Sequence, residues 1–238
     1  PTMKTASLLA LTTLAACCVV SCDSKKPAAP AESKAAAETR ILPVKPGDQW
    51  IYQVSLEIPS GITSAGAGAV STKHRRTRTY LGKKSAAEGL PEVDCFEVVV
   101  PGSPDEREFV EIHADSILMR GSLIMRPETT KPMWLDPPVP FFQAGMVPGT
   151  KFPEVSAPGN AFSRSTENIA VEDITVPAGT FNCHRLLTTG NDGEIELRKT
   201  VWFSPGNGII REEKTRYRRE KLLYREIQEL AELKRASK

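Results

Sequence analysis

The stretch FNCHRLLTTGNDGEIELRKTVWFSPGNGIIR, residues 181–211, decides the fold class. Two runs rich in Leu, Ile, Val, Thr and aromatics flank Asn191-Asp192-Gly193, residues that accept the left-handed backbone of a tight hairpin turn. Pro205-Gly206-Asn207-Gly208 then marks a second turn before another apolar run. Three antiparallel strands follow from this passage alone: Phe181–Thr189, Glu194–Phe203 and Gly208–Arg218.

The same texture continues upstream. Short stretches of β-branched and aromatic residues, punctuated by Gly, Pro, Asn and Asp, place strands at Trp50–Glu57, Thr72–Leu81, Val93–Val100, Glu106–His113, Ile117–Ile124 and Arg164–Val176. Nineteen prolines argue against a helical body, since a proline inside a helix removes a hydrogen bond and clashes with the preceding turn. The expected class is mainly β. At the C-terminus Leu223, Ile227 and Leu230 fall at helical spacing among Glu, Lys and Arg, which favours a helix. The alternative is a strand, with Leu223, Ile227, Ala231 and Leu233 on one face.

Residues 126–160 carry eight prolines together with Met133, Trp134, Leu135, Phe141, Phe142 and Met146. So apolar a loop is expected to cover an open sheet face; the alternative is an adhesive surface. A weaker pattern is an internal echo, in which Cys95 to Arg120 and Cys183 to Arg211 both read as strand, turn, long strand, tight turn, strand.

The N-terminus supplies an address. Met3-Lys4 is followed by an almost unbroken small and apolar run from Ala6 to Val20, too short to span a bilayer, then Ser21-Cys22. That is the build of a bacterial lipoprotein signal over residues 1–22, with Cys22 as the lipid attachment site. Leu14-Ala15-Ala16-Cys17 fits the same pattern, but lipid on Cys17 would leave Cys18, Val19 and Val20 as an apolar mature end. The alternative to lipidation is an ordinary cleaved signal or an uncleaved anchor. Residues 23–40 lack large apolar side chains and are expected to be a flexible tether. Residues 41–238 are then one β-rich domain of about two hundred residues, a length that supports a proper core. The expected location is the bacterial cell envelope, lipid-anchored and facing the periplasm.

A net charge of +2 from 31 basic and 29 acidic residues argues against nucleic acid as a main partner. The local cluster Lys73-His74-Arg75-Arg76-Thr77-Arg78 reads as the solvent face of a strand, with contact to anionic lipid headgroups as the alternative. Cys95 and Cys183 remain once the signal cysteines are set aside, and in an oxidising compartment they form a candidate disulfide; the alternative is two buried free thiols.

No nucleophile elbow, zincin helix, phosphate-cradling loop or CxxC pair is present, so the chain is expected to be no enzyme, with no cofactor and no metal. Glu111, His113 and Asp115 form the best local cluster, on one strand face, and read as a solvated face rather than a metal site. His184 beside Cys183 faces the other way on a strand, which argues against a reactive pair.

Val176-Pro177-Ala178-Gly179-Thr180-Phe181, the Trp202-Phe203-Ser204-Pro205-Gly206-Asn207-Gly208 hairpin, and the opening Gly47-Asp48-Gln49-Trp50-Ile51-Tyr52 together resemble a group of bacterial secreted proteins and lipoproteins, the TapB-like and related domain-of-unknown-function families. The resemblance spans residues 41–233, with Asn207 replacing the more usual Val. It implies a single curved antiparallel sheet, a half-barrel similar to the LolA and LolB carriers, and it favours strand over helix at the C-terminus. It supplies no catalytic residues. Two functions are left open: a carrier that binds an apolar ligand such as a lipid or acyl chain, and a membrane-anchored module that docks an envelope protein.

Overall fold

The computed structural model describes residues 40–62, 68–126, 131–156 and 162–237. The signal, Cys22 and nearly all of the tether lie outside these residues. One antiparallel sheet of twelve strands takes in the whole described chain. Its first half is β1 (Gln49–Ile58), β2 (Val70–Ser85), β3 (Glu92–Val99), β4 (Glu106–Ile112), β5 (Ser116–Ile124) and β6 (Met133–Gln143). The second half is β7 (Val155–Ser156), β8 (Phe162–Val176), β9 (Gly179–Asp192), β10 (Ile195–Ser204), β11 (Gly208–Arg218) and β12 (Lys221–Lys234).

The spatial order is β6-β5-β4-β3-β2-β1-β12-β11-β10-β9-β8-β7. Every strand therefore pairs with its sequence neighbours except β6 with β7, β12 pairs with β1, and the sheet curls into a nearly closed barrel. The open seam lies between β6 and β7, in mid-chain. The seam's edges are blunted as exposed edges must be: β6 carries Pro137, Pro138 and Pro140, and β7 is two residues long. Residues 149–152 extend the cover on β8 through hydrogen bonds between Gly149 and Asn168, Asn168 and Thr150, and Phe152 and Thr166.

All nine strands expected upstream of the C-terminal segment are present, each within four residues of its expected ends. Two expectations are corrected. The C-terminal segment is a strand, β12, and not a helix. Its register against β1 places Trp50 opposite Leu233 and Tyr52 opposite Leu230, with Ala231 bulged between. That extra residue puts Leu230 and Leu233 on one face at a spacing of three, which imitates a helix. The proline-rich segment is not all loop: residues 133–143 pair with β5 as the edge strand. Proline is tolerated there because an edge strand needs donors on one side only. Gly121 of β5 is required at this crossing, since a Cβ on it would fall 1.9 Å from the Met133 carbonyl oxygen.

The core sits at one end of the barrel. Trp50, Tyr52, Phe96, Phe142, Phe203, Leu186, Val201 and Leu230 are almost fully buried there, each contributing about 1.5–3 kcal/mol of hydrophobic stabilisation. Phe142 packs on Phe203 at 4.6 Å between ring centres, so the proline-rich segment does cover the core. The N-terminal segment crosses the same end: Leu42 is buried, Ile41 hydrogen-bonds with His113 and Gly206, and Arg40 pairs with Asp94 at 3.1 Å. The tip of the β8–β9 hairpin also folds in, with the Ala178 N–H donating to the Leu230 carbonyl.

Candidate functional site: an amphipathic cavity in the barrel

Strand alternation splits the residues of the barrel wall. On the inward row Tyr52 lies between Arg76 and Leu230, and Val54 between His74 and Gln228. Further round, Lys214 lies between Lys199 and Glu226, and Glu212 between Val201 and Gln228. Tyr52, His74, Arg76, Lys199, Glu212, Lys214, Glu226 and Gln228 of these rows line a cavity of about 660 Å³. Its volume is on the scale of a small-molecule site.

The lining has two characters. Val98, Val110, Met119, Val139, Phe141 and Leu186 make an apolar wall from β3–β6 and β9. Met119, Val139 and Phe141 remain partly accessible. The facing wall, from β2 and β10–β12, is charged. Arg76 donates to Gln228 Oε1 at 2.6 Å and Glu226 Oε1 at 3.0 Å. Arg78 binds Glu108 at 2.8 Å and lies 3.6 Å above the Phe96 ring, a cation–π contact.

At the centre of the charged wall Glu212 is only 4% exposed and takes Lys199 at 2.9 Å and Lys214 at 2.8 Å. Burial pushes the Glu212 carboxyl up, but the two ammonium groups outweigh it and hold it well below the usual carboxylate range. Attraction to Glu212, working against burial, holds Lys214 above the ordinary lysine value. A buried charge persists when it is paired and hydrogen-bonded, and Glu212 is both.

The basic cluster of β2 is thus not simply a solvent face. Lys73 and Arg75 are exposed, the latter pairing with Glu232 at 3.5 Å, whereas His74, Arg76 and Arg78 line the cavity. Sequence reasoning passed over Lys199, Glu212, Lys214 and Arg216 entirely. The available signal was the period-two placement of charge in Leu197-x-Lys199-x-Val201 and Glu212-x-Lys214-x-Arg216 on strands already identified.

The other candidates resolve into structural roles. Glu111 bonds Arg120 at 2.5 Å and His113 at 3.3 Å, and Asp115 accepts from Ser116. Partial burial raises Glu111, but the Arg120 and His113 contacts bring it below its ordinary value. Among the described residues no three His, Cys, Asp or Glu gather as metal ligands.

The candidate disulfide is corrected: Cys95 and Cys183 are free and buried. Cys183 belongs to the main core, while Cys95 sits in a separate cluster with Ala86, Val93 and Phe109, facing away from its neighbour Phe96. Cys95 lies on β3 and Cys183 on β9, strands that are not neighbours in the sheet. Burial pushes the Cys95 thiol to about 11 and the Cys183 thiol to about 12. His184 turns instead towards Phe142, 5.0 Å between ring centres, and its imidazole is lowered by burial.

No family model and no curated protein sequence matches the chain, so the likeness of its VPAGTF and PGNG passages to TapB-like proteins stays a resemblance. Solved structures do align with it loosely. One is a candidate exported protein with a YmcC-like fold from Bacteroides fragilis NCTC 9343, 16% identical over 82% of this chain and 98% of that one, TM-score 0.38. A candidate lipoprotein from Parabacteroides distasonis ATCC 8503 gives 16% identity, the same coverages and a TM-score of 0.39. A LolA superfamily protein from Nitrosomonas europaea gives 10% identity over 86% of this chain and 94% of that one, with a TM-score of 0.27.

Proposed function

We propose that this protein is an envelope lipoprotein, anchored through Cys22, that binds an apolar or amphipathic ligand such as a lipid or acyl chain inside its barrel and performs no catalysis. The observation that carries the reading is the cavity of about 660 Å³, walled on one side by Met119, Val139, Phe141 and Leu186 and on the other by charged side chains. Met119, Val139 and Phe141 line this cavity yet stay partly accessible, which a close-packed interior would not leave them. The non-catalytic reading is supported by the fate of the reactive groups: both thiols are buried, and Glu111 is held by Arg120 and by a hydrogen bond with His113.

The docking alternative would draw on the edge of β6, where Met133 is 65% exposed. Pro137, Pro138 and Pro140 leave that edge short of the N–H groups that strand addition uses. The carrier reading is therefore preferred.

The test is mass spectrometry of lipids that co-purify with the protein from membranes, set against a Leu197→Trp variant, which fills the cavity from its lining. A lipid species enriched with the native protein and depleted from the variant is the expected result. Equal lipid on both proteins, or none on either, would overturn the reading.

A further inference from the structure

The charged wall of the cavity selects the polar end of the ligand. Arg76, Lys199, Lys214 and Arg216 share this wall with only two carboxylates, Glu212 and Glu226. Glu212 serves both lysines, and Glu226 serves Arg76 at 3.0 Å and Lys214 at 3.9 Å. Arg216 has no carboxylate partner among the described residues; it rests over the Tyr224 ring at 5.4 Å. The Nε of Arg76 is buried without an acceptor. Glu106 and Glu108 of β4 also line the cavity, but Arg78, 2.8 Å from Glu108, and Arg164 line it too, so the lining as a whole has six Arg and Lys against four Glu. An excess of positive charge thus faces the cavity from side chains that remain partly accessible, Lys199 and Lys214 each 31% exposed, where one added anion gains charge-assisted hydrogen bonds.

We infer that the occupant is a single-chain amphiphile with an anionic head, carboxylate or phosphate, its head held by Lys199, Lys214 and Arg216 and its chain laid along Met119, Val139 and Phe141. This rests on the carrier reading above and adds the sign of the headgroup to it. An uncharged lipid leaves the excess cations unpaired, and a cationic one meets repulsion. The cation–π seat of Arg216 on Tyr224 keeps its guanidinium in the cavity lining.

The experiment is calorimetric titration of the full chain with oleate, 1-oleoyl-lysophosphatidate, oleyl alcohol and oleylamine, each below its aggregation threshold. Both anions are expected to bind about tenfold or more tightly than oleyl alcohol, with oleylamine weakest. The ratio of oleate to lysophosphatidate separates a carboxylate source from a phosphate source. Arg216→Gln, at an exposed position, is expected to weaken oleate about fivefold and oleyl alcohol less; Lys199→Gln should do the same. Arg198→Gln, one residue away but exposed outside the cavity, should change none of the four affinities. Equal affinity for oleate and oleyl alcohol, or an Arg216→Gln protein that keeps the full anion preference, would overturn the headgroup assignment and leave the carrier standing. Absence of binding by all four would sink both.

Discussion

The indole N–H of Trp50 donates to the Asn207 carbonyl at 2.6 Å, joining the start of β1 to the β10–β11 turn across 157 residues of sequence. Gly208 makes the approach feasible. Its φ is +92°, and a Cβ there would stand 3.1 Å from the indole nitrogen. The Tyr52 hydroxyl repeats the tie one step along, donating to Ile209 at 3.0 Å.

Replacing Trp50 by Phe leaves the Asn207 carbonyl without its donor and a void beside Phe96. The expected loss is about 2–4 kcal/mol of stability. Gly208→Ala, forced into a left-handed backbone against the indole, should cost about 1–3 kcal/mol. Urea unfolding followed by circular dichroism measures both; unchanged midpoints would show that this tie contributes nothing.

Glu212 makes stability depend on pH in one direction. Its folded carboxyl titrates below the ordinary value of 4.5, so its contribution is complete above pH 4.5 and is lost as pH falls from there towards the folded value. Glu212→Gln removes the contribution at every pH. At pH 7 the variant should be less stable by about 1–3 kcal/mol, discounted because the two lysines are partly solvated. The difference should shrink in urea titrations taken below pH 4.5. A gap that stays constant or widens on acidification would contradict the assignment.

Both thiols should resist alkylation in the folded protein. With Cys95 at about 11 and Cys183 at about 12 and both buried, iodoacetamide at pH 8 meets almost no thiolate. Complete labelling of both in denaturant without reductant is expected. A Cys95–Cys183 peptide in a non-reducing digest would contradict the structure.

Cys22→Ser should release the protein from the membrane fraction, because a hydroxyl cannot take the thioether-linked lipid. Cell fractionation reads this directly. Membrane association that survives the substitution would defeat the lipid anchor.

Much of the sheet was legible because its residues keep period two between strong turns. Asn191-Asp192-Gly193 falls at the β9–β10 turn, and Pro205-Gly206-Asn207 between β10 and β11. What misled was local geometry that breaks the period. Ala231 bulges between Leu230 and Leu233, and Leu223 bulges where the β11–β12 register slips between Arg216 and Tyr217. Both bulges turn alternation into apparent helical spacing. The prolines of β6 hid an edge strand, since its pairing depends on β5 rather than on its own propensity. The cavity was the least legible part. Whether Arg76 and Lys214 face solvent or each other's carboxylates depends on barrel closure, which joins residues far apart in the chain, as in the Arg76–Glu226 pair 150 residues apart.

The pairing of β1 with β12 bears on how such a chain is made. Until the segment around Leu230 has been made, Tyr52 has neighbours on only one flank, and the Asp48–Arg235 contact, 187 residues apart, has not yet formed. The growing polypeptide therefore carries an unsatisfied strand flank until β12 is made, a hazard for intermolecular pairing. Topology of this kind folds slowly because its defining contact closes last. Such a chain reaches its final shape only once β12 has docked on β1.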